Sequence, residues 1–271
     1  MTRGAIYTVV LVLAVLFLIP LVWTGLNSVQ QPYASVGVVP TSWGAGSTYR
    51  LALTLVPYGE DLLHSVVLAG ITVLLGTISS SLAGFAFARL RAPGRDVLFM
   101  VILATMILPA IVTQIPTYVL FKQIGLIGNY LPWVLWGIGG SPFFIFLYRQ
   151  FFIAIPVDLE DAARVDGCTT FGIWWRIFLP ISLPIVATVA VLSFQFSWGD
   201  YLTPFIFLPD NLWPLAAVLT TNPYHEPVNV SLILNPVVDA GVVMFILPVM
   251  IVFFLGQRYL MEGVVMTGLK G

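Results

Sequence analysis

Long, unbroken apolar runs alternate along this chain with short polar segments that carry most of its charge. Six runs are long enough to cross a hydrocarbon core as helices, which takes about 20 apolar residues. They cover roughly 7–27, 65–88, 97–121, 130–148, 183–207 and 236–255. Within each run the apolar residues are continuous, without the alternation that barrel strands require. The pattern predicts an all-α polytopic membrane protein with six transmembrane helices. The first run is too long for a signal-peptide core and no small-residue cleavage site follows it, so it reads as a retained span.

Composition agrees. Hydrophobic residues make up 59% and charged residues 8% of 271 positions, whereas a soluble domain carries about a quarter charged. A net charge of −1 with no basic tract leaves no nucleic-acid footprint. The basic residues set an orientation. With both termini inside, Arg3, Arg89, Arg91, Arg95, Arg149, Arg164, Arg176, Arg258 and Lys270 are cytoplasmic, and only Arg50 and Lys122 lie outside. The opposite orientation would misplace nine of the eleven. Two external connections follow, 28–63, rich in Gly, Pro, Ser and Tyr, and 208–235, with four prolines. Neither is long enough for a separate domain, so the chain reads as one transmembrane domain over 1–271 with a cytoplasmic loop at 153–182.

That loop carries the most information. Residues 155–167 hold four of the twelve acids between two apolar runs. Pro156 ends the incoming segment, and Asp158 is placed as an N-cap whose carboxylate accepts N–H groups of the next turn. Asp161, three residues on, is placed to complete a capping box. Asp158, Glu160 and Asp161 all sit at the positive end of the helix dipole. Ala162 and Ala163 keep the helix slim, and Gly167 permits a sharp turn. A second short helix is expected over about 170–178, offering Phe171, Trp174, Trp175 and Phe178 for docking, before Pro180 and Pro184 lead into the fifth run.

The spacing Asp161-Ala162-Ala163, Gly167, then Ile177, Leu179 and Pro180 resembles the coupling loop of binding-protein-dependent ABC importer permeases. That family's pattern reads Glu-Ala-Ala, three residues, Gly, nine residues, Ile-x-Leu-Pro, and the departure here is Asp161 for the usual Glu. Residues 146–152 leading into the loop, Trp198-Gly-Asp-Tyr-Leu-Thr-Pro204, and the final Gln257-Arg-Tyr-Leu with Gly263 and Gly268 are similar to the carbohydrate branch, maltose-type second subunit. The resemblance implies a type I permease fold and a homologous second permease subunit in the same bilayer. It also implies two ATP-binding cassette ATPase subunits and an extracytoplasmic solute-binding protein, in the cell membrane of a prokaryote. ATP and Mg would be bound by the ATPase subunits, leaving this chain without a cofactor. Asp158, Glu160, Asp161, Ala162, Ala163, Gly167, Ile177, Leu179 and Pro180 would form the ATPase-coupling surface, with Asp161 pairing a basic residue there.

Within the runs, an ionisable side chain is a functional candidate. Asp200 is the main one, and Ser193, Gln195, Trp198 and Tyr201 lie near it in sequence. They are candidates for lining a translocation path, aromatic faces stacking on sugar rings. The other reading of Asp200 is a cap at the span end. Pro109, Pro116, Pro142, Pro204 and Pro248 are candidate hinges or static kinks, and Gly70, Gly76, Ser80 and Gly84 read as close-packing positions.

Several chemistries are missing. Gly263 and Gly268 have nucleotide-loop spacing, but Leu269 follows where Lys is needed. Cys168 is the lone cysteine, and His64 and His225 lack ligand spacing, so no metal is expected. No catalytic constellation is present. The expected function is ATP-driven, binding-protein-dependent import of a sugar or sugar-like solute, such as an oligosaccharide, amino sugar or glycerol-phosphate ester. The rival is an ion-coupled secondary transporter subunit working through Asp200, although such transporters use several membrane-embedded ionisable groups.

Overall fold

The computed structural model describes residues 3–35, 39–221, 224 and 234–268, with side chains through Tyr259. Pro223, His225, Pro227 and Lys270 lie outside the described residues. Every regular element among the described residues is helical. In chain order these are α1 (Arg3–Ser28), α2 (Ala45–Leu55), α3 (Tyr58–Arg89), α4 (Arg95–Thr105), α5 (Ala110–Gln123), α6 (Leu131–Gly139) and α7 (Pro142–Ala154). Then come α8 (Val157–Val165), α9 (Thr170–Ile173), a π-helical turn (Trp174–Phe178), α10 (Leu179–Ile181) and α11 (Leu183–Gly199). The last are α12 (Leu202–Phe207), a 3-10 turn (Asp210–Leu212), α13 (Leu215–Thr220) and α14 (Asn235–Gly268).

Four segments are each long and apolar enough to cross a membrane: α1, α3, α6 with α7, and 235–259 of α14. Two bent pairs bring the number to as many as six. The protein is therefore an all-α polytopic membrane protein. Nearly every apolar side chain of α1 from Ile6 to Ile19 is exposed, as expected of a helix solvated by lipid.

Three of the runs are not single straight helices. The run 97–121 breaks between α4 and α5, which meet at 101°. Pro109 stands before α5 with φ −59° and ψ 130°. It supplies no N–H, and its ring disfavours helical geometry at Leu108. The run 130–148 breaks at Gly140, whose φ of 72° a side chain resists. Pro142 then starts α7 at its first turn. Here α3 supplies the missing backbone partners. The Ser141 N–H donates to Ser80 Oγ at 3.0 Å, and Ser79 Oγ donates to the Gly137 carbonyl at 2.5 Å. Breaks in a span are tolerated where neighbouring helices satisfy the backbone in this way. The run 183–207 stops its main helix at Gly199 and resumes as α12. Pro109 and Pro142 thus mark breaks, while Pro116 and Pro248 lie inside continuous helices.

Contacts divide the chain into two compact units, one of 1–62 with 215–250 and one of 63–214 with 251–271. In the first, the connection between α1 and α2 is ordered around Gln30. Its amide donates to Asn27 Oδ1 at 2.6 Å and accepts from the Thr41 N–H at 3.0 Å, and the buried Thr48 hydroxyl donates to its carbonyl. Ala52 and Val56 of α2 pack with Tyr224, Leu234, Val237 and Ala240.

The second unit has an aromatic core of Phe85, Phe144, Tyr148, Phe152, Trp174 and Phe178. The Phe85 and Phe178 rings meet edge-on at 4.9 Å, a favoured geometry. Gly84 lets α3 and α7 touch: a Cβ there would stand 2.5 Å from Tyr148 Cβ. Gly70, by contrast, faces open space.

Candidate functional site

The polar loop and a cavity in the second unit are the two places where chemistry concentrates. In the loop, Ile155 and Pro156 are extended, and α8 begins at Val157 with Pro156 in the cap position. Asp158 is therefore not the N-cap, and no side chain caps this helix start, so the expected capping box with Asp161 does not form. Pro156 stands in the cap position with extended ψ, and Asp158 falls in the first turn. Its charge still meets the positive end of the dipole there.

The acids of α8 divide by face. Glu160 is buried, and its Oε1 accepts from Arg164 at 2.7 Å, a pairing one turn apart on the same face. Ala163 is buried with the aromatic core. Asp158, Asp161 and Ala162 are exposed, alongside Val157, Leu159 and Val165. The C-terminus closes as a Schellman motif. The Gly167 N–H donates to the Arg164 carbonyl at 3.1 Å and the Cys168 N–H to the Ala163 carbonyl at 2.9 Å. Gly167 has a φ of 77°, so the sharp turn requires it.

The second short helix is present, with a cap that sequence reasoning missed: Thr169 Oγ1 accepts from the Gly172 N–H at 3.1 Å. Of its four aromatics, Phe171 and Trp175 are exposed, but Trp174 and Phe178 are fully enclosed core residues. The division follows the four-residue spacing that aligns side chains on one helix face, and a π-helical turn runs from Trp174 to Phe178. Ile177 and Leu179 pack half-buried against the core, and Pro180 is exposed. Arg89, which in the sequence marks only orientation, reaches the Phe152 and Ile155 carbonyls at the start of the loop.

The cavity, of about 380 Å³, is walled by parts of α3, α5, α6, α7, α11 and α12. Ser193, Phe196, Ser197 and Asp200 contribute from one face of α11 and its end, at the three- and four-residue spacing that aligns helix side chains. The same periodicity turns Gln195 and Trp198 elsewhere. Trp198 is buried and stacks on Phe194 at 5.1 Å, Gln195 is half-buried, and Tyr201 is exposed. None of these three lines the cavity. Asp200 does, and its Oδ1 also accepts from the Thr203 N–H at 3.0 Å, starting α12. One carboxylate thus borders the cavity and caps a helix. Gln114 and Trp136 of the wall were missed, because an amide or indole in an apolar run carries no positional signal of its own.

Among the described residues, no three His, Cys, Asp or Glu side chains gather as metal ligands. Cys168 is a free, half-buried thiol. His64 Nδ1 and the Tyr130 hydroxyl lie 2.5 Å apart, a hydrogen-bonded pair.

Over residues 76–265 the sequence matches the family described as binding-protein-dependent transport system inner membrane component. It is 32% identical to the arabinooligosaccharides transport system permease protein AraQ of Bacillus subtilis over 224 residues, 79% of this chain and 74% of that protein. It is also 32% identical to the lactose transport system permease protein LacG of Rhizobium radiobacter over 203 residues, 74% and 71% of the two chains. A solved chain from a bacterial ABC transporter involved in import of the acidic polysaccharide alginate shares the fold. Its TM-score is 0.82 at 24% identity, covering 96% of this chain and 98% of that one.

Proposed function

The chain belongs to the family of binding-protein-dependent transport system inner membrane components, and within it we propose a permease subunit for a sugar or sugar-like solute. It works by alternating access in a prokaryotic cell membrane, as one transmembrane domain with both termini cytoplasmic. A homologous second permease completes the path. Two ATP-binding cassette ATPases bind ATP and Mg and grip the loop 153–182, and an extracytoplasmic solute-binding protein delivers the solute. The names of the relatives, which handle arabinooligosaccharides and lactose, favour a carbohydrate.

The observation that carries this reading is the two-faced helix α8. Ala163 packs one face into the aromatic core, with Glu160 buried on that side, while Asp158, Asp161 and Ala162 face outward, exposed. A helix rigidly joined to the spans and bare on its far side is suited to receive force from a docked partner. Asp161 is placed to meet a basic residue; Glu160 acts through Arg164 and supports the helix from behind. The ion-coupled alternative has less support, because Asp200 already caps α12.

The test is to tag the chain in its native membrane, solubilise it gently and identify what copurifies. A nucleotide-loop ATPase with a second permease is expected. A homo-oligomer without an ATPase, under detergent conditions that keep known complexes whole, would overturn the proposal.

A further inference from the structure

The cavity wall has a chemistry that narrows the solute. Trp136 offers a partly open indole face, held in place by Phe121 stacked at 5.6 Å and Phe207 edge-on at 5.4 Å. A rigid aromatic plate of this kind suits the C–H face of a sugar ring, since Trp supplies a large apolar area at little entropic cost. Opposite chemistry lines the rest. Ser193 is 1% exposed and its hydroxyl has no protein partner among the described residues. Gln114 donates its amide to Thr203 Oγ1 at 3.1 Å, while its buried Oε1 is likewise unpartnered. Both residues belong to the cavity wall, and buried polar atoms are ordinarily satisfied, so these two orphans beside the cavity mark places where small side-chain turns would meet a ligand's hydroxyl groups.

Charge gives the discrimination. Among the described residues, Asp200 is the only ionisable side chain of the wall, and no Lys, Arg or His lines it. An anion entering here would be desolvated beside a carboxylate with no cation to offset it. The geometry points to a subsite for a neutral sugar ring, with Trp136 as the platform, Ser193 and Gln114 as hydroxyl partners and Asp200 as the group that excludes anions. This rests on the importer reading and deepens it: a neutral saccharide fits, and a glycerol-phosphate ester or an acidic sugar does not.

The experiment takes the assembly that copurifies with the tagged full-length chain, in lipid nanodiscs without the binding protein. Saturation-transfer NMR is recorded with maltotriose and arabinotriose as neutral probes, and with trigalacturonate and glycerol 3-phosphate as anionic ones. Transfer to a neutral probe and none to the anions is expected. Trp136→Leu should weaken neutral binding about fivefold, the loss of one aromatic contact. Asp200→Asn keeps the acceptor that bonds the first turn of α12 and removes the charge, so trigalacturonate, silent with wild type, should become detectable. That gain cannot come from misfolding. Anionic probes binding wild type as well as neutral ones, or neutral binding indifferent to Trp136→Leu, overturns the subsite. If no probe binds while the ATPase copurifies, the subsite falls and the importer reading stands. If neutral sugars bind in an assembly lacking any ATPase, the importer reading falls and the subsite stands.

Discussion

The guanidinium of Arg89, the last residue of α3, donates to the Phe152 carbonyl at 2.6 Å, where α7 ends. It also donates to the Ile155 carbonyl and lies over the Phe178 ring, 5.0 Å from its centroid. The last carbonyls of a helix have no partners within it and carry its negative pole, so a cation is well placed there. One side chain thereby ties the end of α3 to the end of α7, to the step into α8 and to the π-helical turn beyond.

Arg89→Gln should therefore loosen the loop at its root. Hydrogen bonds from a charged donor are worth about 2 kcal/mol, and the variant should lose stability of that order. Solute uptake per ATP hydrolysed by the assembled importer should fall with it. Arg89→Lys keeps the charge without the fork and should recover part of both. A Gln variant with wild-type melting and coupling would show that the clamp carries no load.

The two acids of α8 should behave oppositely. Asp161 is exposed. Its change to Arg should therefore keep thermal stability within about 0.5 kcal/mol of wild type. ATP hydrolysis by the assembly should nevertheless become uncoupled from uptake. Glu160→Ala removes a part-buried bond to the half-exposed Arg164 and leaves space where the buried side chain stood. Because Arg164 stays hydrated, that loss should lower stability by about 1 kcal/mol. Melting curves set beside uptake and ATPase assays separate the two effects.

Glycines of α3 divide in the same way. Gly84→Val forces branched methyls against Tyr148 and the α7 backbone. Overpacking of that kind should cost about 2 kcal/mol. Gly70→Ala meets nothing within 4 Å. It should leave stability unchanged or slightly raised, since Ala is the better helix former. Equal losses from the two would mean that the contact of α3 with α7 is looser than described.

Asp200 separates the two transport mechanisms. Its carboxylate caps α12. Asn keeps that cap, while Ala removes it at a cost of about 1 kcal/mol. In an ATP-driven importer, Asp200→Asn should retain uptake of a neutral solute, and dissipating the ion gradient should not alter that uptake while ATP is maintained. Abolished uptake in a stable Asn variant would favour the ion-coupled rival.

Much of this protein was legible along the chain because its determinants are local. Apolar length is a sum over consecutive residues, so the six runs and the membrane class followed from hydropathy alone. The turn at Gly167 followed from one residue's freedom at a φ of 77°. The spacing from Asp161 to Pro180 placed the chain beside a family whose pattern it then matched. Facing and breaking were decided elsewhere. Whether Glu160 or Asp161 turns inward depends on the aromatic core against which α8 lies. The break at Gly140 is sustained by Ser79 and Ser80, on a helix far back along the chain. The cavity takes Ser193 and Asp200 but leaves out Gln195 and Trp198 because the rotation of α11 is set by the helices it packs against. Hydrophobicity decides which segments leave water, and only the packing of distant segments decides which side of each one faces its neighbours.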